Sequence, residues 1–231
     1  MDIAISQPAS SRRRFLQLAT AAAAALTTAW EFSAPRPAQA QSNLTPDEAL
    51  KELMDGNKRF VANQGTHHEH DMDILRQKTV EKQEPFAAVL SCADSRVPVE
   101  IAFDQSIGHI FVTRVAGNLV TPEIIGSLEY GAAVLGTKVI LILGHSGCGA
   151  VKAAIKGQSV PGQISSLFPH LQPAVDQGNH DVTETTKQNA KIQASLLRDS
   201  STVISEMVKA GKVKVVAGYY DLASGAVTLV T

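Results

Sequence analysis

The chain reads as an α/β fold: a central, mostly parallel sheet with one antiparallel edge strand, flanked by helices. Three observations support this. Phe86-Ala87-Ala88-Val89-Leu90, Phe111-Val112-Thr113-Arg114-Val115 and Val139-Ile140-Leu141-Ile142-Leu143 are short apolar runs of strand length, the last made wholly of β-branched residues and leucine. Such runs suit strands covered on both faces of a parallel sheet. Helix-compatible segments lie between them, and that alternation builds α/β architectures. Near the C-terminus, Tyr219-Tyr220-Asp221-Leu222 and Ala226-Val227-Thr228-Leu229-Val230 flank Ala223-Ser224-Gly225, a glycine-containing connection of hairpin type that marks the antiparallel edge.

In chain order, residues 1–40 stand apart. Ser11-Arg12-Arg13-Arg14-Phe15-Leu16-Gln17 is basic, Leu18 to Leu26 is dominated by alanine, and Ala38-Gln39-Ala40 is small-x-small. That order describes a cleavable export signal, and the paired arginines place it with the twin-arginine class. Cleavage is expected after Ala40, leaving one domain over residues 41–231. The alanine-rich stretch is well short of the roughly 20 strongly apolar residues that span a bilayer, so no stable membrane insertion is expected.

Thr45-Pro46-Asp47-Glu48 combines a capping threonine, proline at the first helical position and glutamate three residues after the cap. A helix is predicted from there to about Ala62, its stripe carried by Leu50, Leu53, Met54, Phe60 and Val61. Pro122 to Leu135 and Gly147 to Ile155 are predicted helical. Pro161 to Asn179 is rich in loop formers. Thr185 to Ala210 supports one long helix before a strand at Lys212-Val213-Lys214-Val215-Val216.

The composition, 44% hydrophobic and 19% charged over 231 residues, is that of an ordinary globular chain. A formal net charge of −1 supplies no long-range field to gather nucleic acid or an anionic membrane surface.

Chemistry concentrates on the two cysteines. Cys92 and Cys148 each follow a predicted strand, where open α/β sheets place their ligand crevice. Cys92-Ala93-Asp94-Ser95-Arg96 offers a thiolate and a carboxylate; His145-Ser146-Gly147-Cys148 offers an imidazole and a second thiolate. Two thiolates and one imidazole suit a catalytic zinc, which keeps its fourth position open, whereas structural sites are closed by four ligands. Gly144, Gly147 and Gly149 permit the tight turn that aims His145 and Cys148 at one point. Each part also has a plainer reading: the cysteines as a disulfide in an exported chain, Asp94 and Arg96 as a surface ion pair, His145 as a core histidine. Their joint occurrence favours the metal. His67, His68 and His70 are denser, but they lie in a polar stretch without thiolates and read as a decoy.

Together the two segments resemble the signatures of the β-carbonic anhydrases. The similarity runs through Val89 to Ala150, including Arg114-Val115-Ala116-Gly117-Asn118, and more loosely from Leu44 to the last strand. The resemblance implies that Cys92, His145 and Cys148 bind one zinc per chain, that Asp94 and Arg96 form a gating dyad, and that Asp94 can also become the fourth ligand of a closed, inactive state. It implies a homodimer or larger even-numbered homo-oligomer with active sites near the interface. Gln83, nine residues before Cys92, matches a glutamine that helps bind substrate in the plant-like subtype. Phe111 matches an apolar pocket wall, and Gly149 joins them as a substrate-binding position. Val89 stands where the bicarbonate-inhibited subtype carries tryptophan, so no inhibitory bicarbonate pocket is expected. His109 departs from the aspartate common in relatives.

The implied reaction is reversible hydration of carbon dioxide to bicarbonate and a proton, zinc acidifying its water so that hydroxide is available near neutral pH. Alternatives are hydrolysis of carbonyl sulfide or carbon disulfide on the same site, or a non-catalytic zinc protein closed by Asp94. The signal implies the twin-arginine export machinery as a partner and a periplasmic location, or a thylakoid lumen if the source has thylakoids.

Overall fold

The structure is a computed structural model that describes residues 43–66, 73, 76 and 80–231. The export signal and His67, His68 and His70 lie outside the described residues. Among the described residues, no helix is long and apolar enough to cross a membrane.

Helix α1, Pro46–Val61, begins where its sequence says it should. Thr45 and Glu48 form a reciprocal capping box, each satisfying a backbone N–H at the helix start. Strand β1, Ala87–Ser91, is followed by a short helix α2, Val99–Ala102, and strand β2, Ile110–Arg114. Then come α3, Pro122–Glu129, strand β3, Val139–His145, α4, Gly149–Lys156, and α5, Phe168–Gln177. Helices α6, Val182–Ser200, and α7, Thr202–Lys209, precede strands β4, Lys214–Tyr220, and β5, Val227–Val230.

The five strands order as β2-β1-β3-β4-β5. All neighbours are parallel except β4 and β5, which pair antiparallel. β1 and β3 are buried along their whole lengths, which explains their continuous apolar sequence. Alternate residues divide between two cores: Val89, Leu141 and Leu143 pack with α1 and α2, while Leu90, Ile140 and Ile142 pack with α6. Chain order runs from β1 outward to β2, then returns to β3 on the other side of β1. That reversal opens a crevice beyond the carboxyl ends of β1 and β3.

Several elements depart from the sequence pattern. The expected helix over Pro122–Leu135 is α-helical only to Glu129 and continues as a π-helical turn over Tyr130–Val134. The expected long helix is divided at Ser201, whose backbone is extended and whose hydroxyl oxygen accepts from the Ile204 N–H to cap α7. A serine can compete with the helix for its own backbone in this way. The loop-rich stretch contains α5, because Leu171, Ala174 and Val175 recur at helical spacing and bury together. Lys212–Val216 and Tyr219–Leu222 are not separate strands; β4 runs continuously through Gly218. A side chain at Gly218 would press on Leu141.

Candidate metal centre

Cys92 leaves the end of β1 and His145 ends β3, the two strands being neighbours in the sheet. Gly147, with φ +67°, turns the chain sharply, and Cys148 becomes the N-cap of α4. The turn is fastened from β4: the Ser146 N–H donates to Tyr220 O at 2.9 Å, and the Leu222 N–H donates to Ser146 Oγ at 2.8 Å. Residues 56 positions apart thereby converge, with Cys92 Sγ and Cys148 Sγ separated by 4.0 Å.

One ligand atom from each of Cys92, His145 and Cys148 lies within 4.8 Å of the others. All three residues are buried, His145 completely. His145 Nδ1 is 3.0 Å from Ser146 O; a carbonyl can only accept, so the proton sits on Nδ1 and Nε2 presents a lone pair. Nε2 is buried and makes no hydrogen bond within the protein. An orphaned acceptor facing two sulfurs is costly unless a ligand completes it.

The geometry fits zinc. Both cysteines are free, and their separation is about twice a disulfide bond. Two Zn–S bonds of about 2.3 Å at a tetrahedral angle place the sulfurs about 3.8 Å apart. The thiol pair is electrostatically divided. The hydrogen bond with Cys148 draws Cys92 down to about 4 against the effect of burial, helped by the Gly117 N–H. Cys148 is pushed up by the same contact and by burial, although the Val151 and Ala150 N–H groups at the start of α4 favour its thiolate. Binding a dication relieves this competition for negative charge, since both sulfurs then share it with the metal.

Asp94 stands beside the trio, its Oδ2 3.9 Å from His145 Nε2. Arg96 grips it by a fork: Nη2 donates to Oδ2 at 2.7 Å and Nε to Oδ1 at 3.0 Å, and the Arg96 backbone N–H adds a 3.0 Å bond to Oδ1. These side-chain and then backbone bonds hold the Asp94 carboxyl well below the usual carboxylate range. It is therefore an ionised acceptor at any physiological pH.

Of the proposed substrate residues, Gly149 lies at the site, whereas Gln83 and Phe111 of this chain do not. Gln83 precedes β1, at the opposite end of the strand from Cys92, a rise of roughly 13 Å away along the strand alone. Phe111 pairs with Ala88 in edge strand β2, and its ring meets that of Tyr130. Gly149 opens α4 beside Cys148, with open space where a Cβ would stand. His109 packs edge-on against Phe86 at the entrance to β1 and β2, away from the trio.

Several supporting residues carry no signature of their own. Arg114 donates from Nε to Cys92 O at 3.0 Å and from Nη2 to Asp94 O, so it pins the loop holding both residues. Asn189 and Gln193, buried on α6, reach the loop after β2. Their signal was a pair of amides on the stripe shared with Ala190, Ala194 and Leu197, but the stripe does not reveal their target.

Fold and site thus define an α/β protein with a two-cysteine, one-histidine cluster suited to a metal at the switch point of a mostly parallel sheet. Residues 87–227 match the family model described as carbonic anhydrase. A carbonic anhydrase of Mycolicibacterium smegmatis is 36% identical over 195 residues, covering 81% of this chain and 94% of the relative. Carbonic anhydrase 2 of Mycobacterium tuberculosis is 35% identical with the same coverage. Among solved structures, tetrameric β-carbonic anhydrases from Sordaria macrospora share the fold at a TM-score of 0.64 and 20% identity, over 79% of this chain and 96% of theirs. The Coccomyxa β-carbonic anhydrase in complex with acetazolamide does so at 0.61 and 24%, over 78% and 85%. The chain belongs to the carbonic anhydrase family and has the fold of the β-carbonic anhydrases.

Proposed function

We propose that the chain catalyses the zinc-dependent, reversible hydration of carbon dioxide to bicarbonate and a proton, outside the cytoplasm. The observation that carries this reading is His145 Nε2, buried without a protein partner and aimed at two sulfurs 4.0 Å apart, beside a carboxylate held by Arg96. Cys92, His145 and Cys148 would hold the zinc, and zinc there supplies a water acidic enough to act as nucleophile near neutral pH. Asp94, kept ionised by Arg96, accepts a hydrogen bond through Oδ2 and orients that nucleophile towards the carbon. Arg96 keeps the carboxylate from becoming a fourth ligand. Arg114 holds the Cys92 and Asp94 carbonyls in place and so maintains the distance between ligand and acceptor.

Gln83 and Phe111 belong to this site only if a second copy brings them, which agrees with a homodimer or larger even-numbered assembly and with a plant-like subtype. Val89 is fully buried against the α1 side of the sheet, consistent with simple rather than cooperative bicarbonate inhibition. Sedimentation of the active protein as a single chain would remove Gln83 and Phe111 from the site. A cooperative inhibition curve would overturn the subtype.

Export of an already folded chain over the twin-arginine route lets zinc occupy the thiolates before they meet an oxidising compartment. Replacing Arg12, Arg13 and Arg14 by lysine should then keep the protein in the cytoplasm, and the exported form should begin at Gln41. An unchanged distribution would refute the route.

The decisive assay is stopped-flow carbon dioxide hydration by metal-analysed protein at about pH 7 and about pH 8.5, bracketing the zinc-water range, beside Cys148→Ala. Fast hydration with one zinc per chain, lost in the variant, is expected. Zinc at one per chain without hydration at either pH rejects the reading; turnover of carbonyl sulfide or carbon disulfide by the same sample would then identify the substrate.

A further inference from the structure

Two carboxamides lie buried in the middle of α6, where the surrounding positions are apolar: Asn189 at 0% exposure and Gln193 at 1%. They are one helical turn apart and therefore neighbours on one face. Asn189 Nδ2 donates to Gly117 O at 2.8 Å. Gln193 Oε1 accepts the Val120 N–H at 2.7 Å, and its Nε2 donates to Asn189 Oδ1 at 3.2 Å and to His170 O at 3.4 Å. The pair thus grips the loop after β2 at two points and ties each grip to the other.

That loop needs holding. Gly117 and Asn118 are consecutive left-handed residues, with φ +79° and +46°; glycine adopts this freely, whereas at Asn118 it is an uncommon conformation that the surroundings hold. It brings a donor to the site: the Gly117 N–H, on the other side of the residue from the carbonyl that Asn189 holds, donates to Cys92 Sγ at 3.4 Å. A hydrogen bond to a thiolate withdraws charge from sulfur, and such outer contacts tune both the orientation and the donor strength of a metal ligand.

We propose that Asn189, braced by Gln193, is a positioning residue for the Cys92 sulfur. It fixes Gly117 so that its N–H stays on Sγ, and this contact limits how much electron density Cys92 gives to the metal. The proposal rests on the zinc reading above and extends the site to a helix that contributes no ligand.

The experiment uses the full chain loaded with cobalt(II) in place of zinc, with Asn189→Ala and Gln193→Met. Leu53→Ala, which removes buried volume on the opposite face of the sheet, controls for general loss of packing. Without the N–H contact the sulfur is richer in electrons, so the sulfur-to-cobalt charge-transfer band should move to longer wavelength in both amide variants and not in Leu53→Ala. A band at the wild-type position in both amide variants, or an equal shift in Leu53→Ala, overturns the proposal. Should Asn189→Ala not fold, Gln193→Met decides by the same reading. If the wild-type chain takes up neither metal, the zinc reading has failed instead. The clamp is then judged by exchange of the Gly117 amide, protected in wild type and released in Asn189→Ala if it holds, and fast in both if it does not.

Discussion

Asp94 has both carboxylate oxygens engaged by Arg96 while standing 3.9 Å from His145 Nε2. In the function proposed above, the planar guanidinium keeps this carboxylate, by two parallel bonds, from joining a metal held by His145 and the cysteines. Arg96→Ala frees that carboxylate. The expected outcome is hydration lower by at least about 100-fold, the scale of a displaced reacting group, with zinc still bound at one per chain by elemental analysis. Activity close to wild type would show that Arg96 is not a gate. At this scale the sequence was most informative, because ligand chemistry depends on residue type: two thiolates, one imidazole and a carboxylate-arginine pair could be read without coordinates. It could not show the tautomer of His145, which depends on Ser146 O lying 3.0 Å from Nδ1.

Helix α1 is joined to the rest of the fold by Asn57, whose side chain is nearly fully buried. Its Nδ2 donates to Ala102 O and Gly225 O, each at 2.9 Å, and its Oδ1 accepts the Val227 N–H at 2.8 Å. One amide therefore links α1, the end of α2 and the turn into β5. Gly56 beside it lets the helix approach closely, since a Cβ there would fall 1.8 Å from Phe103 O. Asn57→Ala strands three buried backbone groups and should lower stability by about 3 kcal/mol, measured as a reduced urea midpoint with an unchanged slope. A loss under about 1 kcal/mol would mean that water replaces the amide. The capping box and apolar stripe of α1 were legible because they are local. The break at Ser201 was not, because its hydroxyl also donates to Glu129 of a distant helix at 2.6 Å.

Across the whole molecule, Asp104 closes the far side of the α1 layer. Arg59 Nε donates to its Oδ2 at 2.5 Å, and the Thr66 N–H and Oγ1 donate to Oδ1 at 2.7 and 2.9 Å. Burial pushes this carboxyl up, but Arg59 and Thr66 together outweigh it and hold it below the ordinary range. The folded value thus lies under the roughly 3.9 of an unfolded aspartate, so the folded state binds fewer protons between the two. The contribution is complete above the unfolded value and is lost as pH falls through the folded one. Asp104→Asn, which tolerates the same left-handed backbone at φ +46°, should be less stable than wild type at pH 7, and the gap should shrink below about pH 4. Denaturation curves at both pH values test this; a gap that widens in acid would contradict it. The sequence by itself determined the strand and helix alternation, the antiparallel edge and the chemical character of the metal centre, all of which follow from side-chain type and short-range periodicity. Only the tertiary structure decided that Cys92 and His145 leave neighbouring strands, that Gln83 and Phe111 lie elsewhere in the same chain, and that Asn189 reaches the Cys92 sulfur through Gly117. Those relations depend on strand order and on contacts between residues far apart in the chain, and no local pattern encodes which distant backbone group a buried amide will meet.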